Sequence, residues 1–485
     1  MKINNRQIKI ILIYFSIFHI LFWTAVPSFT NINLPLDTIE ALTWGNELKL
    51  GYEKYPPIFP LFTELFFNIF GNQDWAYYLL SQLFVISSFL IIFQFSKYFF
   101  DNQTYSLLSV LLLEGVYFFN YTTPELNAFI CLFPFLVITA LFCWRAIIFN
   151  KNLDWIIFGI FAGISTLTYY LSLYMLASIG VFFIGEIIIY KKFNYKYILA
   201  LAVYFFVLSP HLYFIFENDF KSIEYALFRS FGNPLSGVSE FKILDHIFYP
   251  LIFLIKQLVI LIPFFFLLSA SITNFRIKLE FKDKKLIFLF TIAILPIILM
   301  FLTSLIGGVR IRTMWMTTFY VFVSIFFLYL FKANINLQKY KKFLFLFLFF
   351  FITTPIGYGI DSYIQKDKRT DYPGKAIAAK IQMEWNKNFS NKIKTIIGKG
   401  WVYGGWYGGN LSYHLEGRPK LQYMDSDNTQ EGLIRVNILH ETKVCKGILA
   451  KFEPYFEVCM IGKKNSNKTS KLYKPELGIF ITSLQ

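Results

Sequence analysis

The sequence predicts a polytopic α-helical membrane protein with a small mixed α/β domain at its C-terminal end. Three observations carry that expectation. The 485-residue chain is 56% hydrophobic and 21% aromatic, richer in apolar residues than the roughly 45–50% of soluble domains. The apolar residues fall in repeated runs of about 20, the length that crosses a hydrocarbon core about 30 Å thick. After residue 360 those runs stop and the composition turns polar. The formal charge of +16 does not indicate nucleic acid, because the lysines form short clusters between apolar runs, as cytoplasmic loops do.

The first run, about residues 8–29, follows Lys2, Arg6 and Lys9. It is too long and aromatic for a signal peptide and lacks a small-residue cleavage site, so it reads as an uncleaved anchor. Ten further runs lie near 76–95, 104–120, 126–148, 153–170, 173–190, 197–216, 246–273, 285–306, 314–331 and 343–360. The expectation is about eleven spans over residues 1–360, with longer loops at 31–75 and 217–245. Lys256 interrupts the eighth run, where a mid-bilayer lysine costs a few kcal/mol. Residues 246–257 are therefore expected in the interface with Lys256 snorkelling; a buried functional lysine is the alternative.

The loops set the orientation. One alternate set holds 18 basic residues (Lys2, Arg6, Lys9, Lys97, Arg145, Lys151, Lys191, Lys192, Lys196, Arg276, Lys278, Lys282, Lys284, Lys285, Lys332, Lys339, Lys341 and Lys342). The other holds 7: Lys49, Lys54, Lys221, Arg229, Lys242, Arg310 and Arg312. The richer set is expected in the cytoplasm, which places the first long loop and the C-terminal tail outside. Within the tail, residues 361–485, "KTIIGKG", "KLQYM" and "FEVCMIG" read as strands, and the Gly-rich loop "GWVYGGWYGGNLSYHL" separates the first two. The glycines lack the phosphate-loop pattern, which argues against nucleotide binding. Cys131 and Cys143 sit in an apolar run as small core residues. Cys445 and Cys459 are free to pair if the tail faces an oxidising compartment. The absence of an internal repeat weakens an inverted-repeat transporter reading.

Charged residues cluster on the expected outer face. In "DTIEALTWGNEL", Asp37, Glu40 and Trp44 share a helical face, and Pro35 and Asp37 are helix-start signals. Pro56-Pro57 ends any helix and fixes the direction of Lys54. Glu47 and Glu53 read as ordinary solvated acids. Glu125 follows Pro124 in a short turn that needs no carboxylate. His211 lies near the outer end of its run, with Glu217, Asp219 and Arg229 beyond it. Arg310 and Arg312, in "GGVRIRTMW", suit bidentate binding of a phosphate head group; anionic lipid is their alternative partner. The convergence of these groups on one face predicts a single outer cleft.

"DTIEALTWGNELKLGYEKYPP", "FGNQDWAYYLLSQL", "YTTPELNA" and "SPHLYFIFENDF" together resemble the GT-C membrane glycosyltransferases. The resemblance is to the family-39-type bacterial enzymes, which include protein O-mannosyltransferases and, more closely, lipid A aminoarabinose transferases. It covers most of residues 30–320 and, more loosely, the outer tail. It implies transfer of a sugar from a polyprenyl-phosphate carrier with inversion at the anomeric carbon. Asp37 matches the first acid of the family's Asp-Glu pair; the second falls on Thr38, leaving Glu40 as the candidate substitute. Lys54 before the prolines matches a Lys-Pro element, with Tyr55 beside it, and Glu125 matches an acid in the second outer loop. Tyr169 stands where a related subgroup carries a lysine for the donor phosphate.

The expected roles follow from chemistry. Lys54, Arg310 and Arg312 would stabilise the leaving lipid phosphate. Asp37 would be the general base for a hydroxyl acceptor; for a phosphate acceptor, Asp37, Glu40 and Glu125 would instead hold a positively charged amino sugar. A divalent metal on Asp37, Glu125 and His211 is a further possibility. The leading expectation is an inner-membrane enzyme using undecaprenyl-phosphate-linked sugar and lipid A, among membrane lipids and with no nucleic acid. A protein O-mannosyltransferase, a lipid-linked sugar flippase and a non-catalytic scaffold are the alternatives.

Overall fold

The computed structural model describes residues 4–231, 243–274, 280, 282–336, 340–423, 431–440, 442, 445–463 and 479–481. Lys2, Lys242, Arg276, Lys278 and Lys339, used above for orientation, lie outside the described residues, as does Met424 of "KLQYM". The chain divides into two compact units. One comprises Met1–Pro27, Leu50–Phe59 and Tyr78–Asp361; the other comprises Ser28–Lys49, Pro60–Tyr77 and Ser362–Gln485.

In chain order the α-helices are α1 (Asn5–Thr30), α2 (Leu36–Gly45), α3 (Ile58–Phe70), α4 (Asp74–Ser96), α5 (Gln103–Leu111), α6 (Ala128–Phe149), α7 (Asn152–Thr168), α8 (Ser172–Tyr190), α9 (Lys196–Glu217), α10 (Lys221–Phe231), α11 (Asp245–Ile260), α12 (Ile262–Ser269), α13 (Lys284–Ala293), α14 (Leu295–Gly307), α15 (Val323–Leu330), α16 (Tyr340–Ile364), α17 (Gly374–Asn388) and α18 (Gly409–His414). Among the described residues, α1, α4, α6, α8, α9 and α16 are long and apolar enough to cross a membrane. The spans number eight if α11–α12 and α13–α14 each count as one. These make a multi-pass membrane protein.

The two broken spans have a cause in the sequence. The second half of each carries a proline as its second residue, Pro263 in α12 and Pro296 in α14. Proline has no N–H for the helical ladder, and its ring strikes the carbonyl four residues back. The axes turn there by 40° and 44°. Asn102 and Asn127 cap α5 and α6 by accepting backbone N–H groups.

The described helices thus do not confirm the expected count of about eleven spans. Residues 104–120 form the nine-residue α5 and then 3-10 turns at Leu112–Gly115 and Tyr117–Phe119. Residues 314–331 form 3-10 turns and the eight-residue α15. Both stretches are almost wholly buried. Their apolar character records burial inside the unit, which periodicity and hydropathy do not separate from crossing a bilayer. Lys256 is exposed on α11 beside buried Gln257, so the buried-lysine alternative does not hold.

The second unit carries a six-stranded mixed sheet in the order β2-β1-β3-β5-β4-β6. Its strands are β1 (Thr395–Gly398), β2 (Lys420–Gln422), β3 (Leu433–Asn437), β4 (Ile448–Phe452), β5 (Phe456–Ile461) and β6 (Ile479–Ile481). β1 runs parallel to β2 and β3, while β5 runs antiparallel to β3 and β4. The amphipathic α17 turns Ile377, Ile381 and Trp385 into a core with Ile396, Ile434, Val458 and Met460. Cys445 and Cys459 are joined in a disulfide. The stretch expected as a Gly-rich loop is helical, a π-helical segment over Gly400–Gly408 that leads into α18. A Cβ on Gly404 would stand 2.6 Å from the carbonyl oxygen of Gly398. Only glycine lets the coil lie this close to β1.

Candidate active site

In the membrane unit, the turn around Lys54 is held from several sides. The backbone N–H of Tyr52 donates to the carbonyl of Tyr55 at 3.0 Å, closing the turn. Ser222 Oγ of α10 donates to the Tyr52 carbonyl at 2.9 Å. His211 of α9 bonds the Leu50 carbonyl through Nδ1 at 2.7 Å and the Tyr170 hydroxyl through Nε2 at 2.7 Å. A carbonyl can only accept, so Nδ1 carries the proton and, in the neutral ring, Nε2 accepts from Tyr170. A Cβ on Gly51 would stand 2.6 Å from that imidazole, so glycine permits the approach.

Lys54 is half-buried, its Nζ 4.9 Å from the centroid of the Tyr55 ring, a cation–π distance. Tyr55 is buried against Tyr169 at 5.7 Å between centroids. Tyr169 meets Phe129, in the first turn of α6, at 4.7 Å. Lys54, Tyr55, Tyr169 and Phe129 thus form one connected group of side chains, and His211 holds the same turn through the Leu50 carbonyl. Glu125, just before α6, is exposed while Thr123, Pro124 and Leu126 around it are buried. Arg310 and Arg312 are exposed on the turn after α14, where Ser304 Oγ donates to the Val309 carbonyl at 2.7 Å.

Asp37 and Glu40 lie in the second unit, on α2. Pro35 stands at the N-cap and Asp37 in the first turn, where a carboxylate favours the positive end of the helix dipole. Asp37 is half-buried and Glu40 wholly buried. The helix stops at Gly45, short of Glu47, whose carboxylate pairs with Lys49 at 2.8 Å and Lys420 at 3.7 Å. The hydrogen bond from Lys49 holds its pKa below the usual carboxylate value.

α2 is anchored by the stretch 409–418. Asn33 Nδ2 donates to Asn410 Oδ1 at 2.8 Å, and Tyr413 donates to Asp74 at 2.8 Å. The Arg418 guanidinium lies 3.8 Å over the Phe67 ring, donates to Glu64 at 2.6 Å, and also donates to the Leu42 carbonyl.

Among the described residues no three His, Cys, Asp or Glu side chains gather to hold a metal ion. The expected set of Asp37, Glu125 and His211 is not such a group, since both ring nitrogens of His211 are engaged by Leu50 and Tyr170. Sequence reasoning also missed Tyr170, Ser222 and Arg418, which hold the turn and the helix. It missed the buried His19 and Glu114 as well; their only signal was a lone polar residue within an apolar run.

A helical membrane unit and a small mixed sheet domain make up a fold that is similar to one already solved, and part of the chain matches a glycosyltransferase family model. Residues 54–214 match the family model described as dolichyl-phosphate-mannose-protein mannosyltransferase. The crystal structure of ArnT from Cupriavidus metallidurans in the apo state superposes with a TM-score of 0.55 at 11% sequence identity. The match covers 83% of this chain and 84% of that one. No curated protein sequence matches the chain.

Proposed function

We propose that this glycosyltransferase moves a sugar, specifically an amino sugar, from undecaprenyl phosphate to lipid A, with inversion, on the periplasmic side of the bacterial inner membrane. The observation that carries the reading is the shared fold with ArnT over 83% of the chain, more than the membrane unit alone supplies. The Lys54 element before the double proline supports it, since it resembles that of lipid A aminoarabinose transferases. The Cys445–Cys459 disulfide supports an oxidising compartment for the second unit.

In this reaction an oxygen of the acceptor phosphate attacks the anomeric carbon as the bond to the carrier phosphate breaks. Lys54 is assigned to the departing phosphate, whose growing charge a fixed cation stabilises. Tyr55 and Tyr169 orient that lysine, and His211 fixes the turn that bears it. Arg310 and Arg312 are assigned to phosphate groups of donor or acceptor. Asp37, the more exposed acid of α2, is assigned to the sugar, and Glu125 to a second contact with it. A phosphate acceptor arrives already ionised, so no strong base is required.

Mass spectrometry of lipid A from a gene-deletion strain tests the substrate. Loss of one pentosamine- or hexosamine-sized mass is the expected result. The family match at residues 54–214 favours a second reading, a protein O-mannosyltransferase in which Asp37 is the general base. Unchanged lipid A with altered glycoproteins would select it. Asp37→Asn is expected to lower activity about 100-fold or more, while Glu47→Gln leaves it near wild type in the same assay. Equal losses would remove Asp37 from the site.

A further inference from the structure

Glu114 is a carboxylate in the midst of the membrane unit, 3% exposed, in the 3-10 turn that follows α5. Its Oε1 lies 2.7 Å from Nδ1 of His19, itself wholly buried in the middle of α1. The rings of Phe15, Phe89 and Phe351 surround the imidazole. Burying such a pair costs several kcal/mol per charge, and replacing it with apolar residues is often neutral or stabilising. Stability therefore does not account for it. The best-attested use of a buried pair is to specify one geometry.

The partners of Glu114 indicate which geometry. Asn120 Nδ2 donates to the Glu114 carbonyl at 2.7 Å and to its Oε2 at 3.2 Å. Asn120 Oδ1 accepts from the Tyr121 N–H at 2.5 Å. The Asn120 carbonyl accepts from the Thr123 hydroxyl at 2.6 Å and from its N–H at 2.9 Å. From α4, Gln82 Nε2 donates to the Thr123 hydroxyl at 3.0 Å, and Ser81 Oγ donates to its carbonyl at 2.5 Å. The Glu125 N–H closes the turn on the Thr122 carbonyl at 3.1 Å. An unbroken run of buried polar groups thus connects α1 and α4 to the turn that presents Glu125.

We propose that His19, Glu114 and Asn120 are positioning residues that fix the Glu125 turn for sugar transfer. The proposal rests on the reading above that gives Glu125 a place in the site. The three residues act through that turn and touch no substrate. Two measurements on the full-length enzyme test them. The first needs no substrate: amide hydrogen exchange of residues 121–126 should speed up in Glu114→Ala. It should do so too in the fold-sparing double variant His19→Leu/Glu114→Leu, which leaves no buried charge unpaired. Unchanged exchange in both overturns the network. The second is a double-mutant cycle on kcat with undecaprenyl-phosphate aminoarabinose and lipid A. Glu114→Ala should lower kcat roughly tenfold in the wild-type background but less than about twofold in Glu125→Gln, because coupled residues are not additive. Additive losses overturn the positioning role while leaving Glu125 in the site. Faster exchange with a fully active Glu125→Gln instead removes Glu125 from the site, and the proposal falls with it.

Discussion

Gly51 decides how near the Lys54 turn can come to α9. Any side chain there would meet the His211 ring at 2.6 Å, so the ring must move and release the Leu50 carbonyl or the Tyr170 hydroxyl. Losing one such bond costs about 1 kcal/mol. Gly51→Ala is accordingly expected to raise KM for the lipid-linked donor severalfold while kcat changes little, as steady-state kinetics would read. Lys54→Met should do the opposite. It removes charge needed mainly as the carrier phosphate departs, and kcat should fall about 100-fold with a smaller change in donor KM; an unchanged kcat would take Lys54 out of the reaction. At this scale the sequence was informative about charge and poor about support. Lys54 and Glu125 stood out because carboxylates and amines are costly near a bilayer. Ser222 and Tyr170 did not, since a hydroxyl on a helix end has many ordinary uses.

α2 depends on contacts that local sequence could not forecast. Its ten residues are too few to be stable alone, and its start at Leu36 was readable from Pro35 and Asp37. What secures its far end is Arg418, 376 residues beyond the Leu42 carbonyl that it bonds. Arg418→Ala would leave the half-buried Glu64 without its cation, a loss on the order of 2 kcal/mol. The expected result is a lower thermal midpoint and faster amide exchange over residues 36–46, while α6 and α7 stay protected. α18 adds a pH dependence. Burial, reinforced by the positive charge of Lys375, pushes His414 down to about 4 from a usual 6.5. Between those values the unfolded chain binds the proton and the folded chain does not, so stability rises with pH. The full-length protein should lose thermal stability as pH falls from 6.5 to about 4, and His414→Asn should flatten that slope. Glu47 acts only at the acid end of this window and beneath it, because its lowered pKa makes its contribution vanish only as the pH drops under its usual value of 4.5.

Across the whole chain, membrane character was plain in the composition, and three of the six strands were visible as β-like runs in the tail. The span count was less legible. A run such as residues 104–120 is apolar because it is buried, and its interruption by Glu114 and Asn120 was the mark of a turn held by polar bonds. The union of residues 28–49 and 60–77 with the tail in one compact unit had no local signal, because it rests on pairings such as Asn33 with Asn410. Topology itself can be tested through the cysteines. Cys131 and Cys143 are buried thiols in α6, and Cys445 and Cys459 are bonded to each other. A membrane-impermeant maleimide added to intact spheroplasts should therefore label nothing until a reductant is supplied. It should then label the full-length protein at Cys445 and Cys459, and Cys445→Ser/Cys459→Ser should abolish the signal. If the tail faced the cytoplasm, reduction would add no label while the membrane stayed sealed, and labelling would appear only after lysis. That result would reverse the orientation drawn from the lysine clusters. It would also place the Asp37 helix, which shares a unit with the tail, on the side opposite to the one the proposed transfer requires.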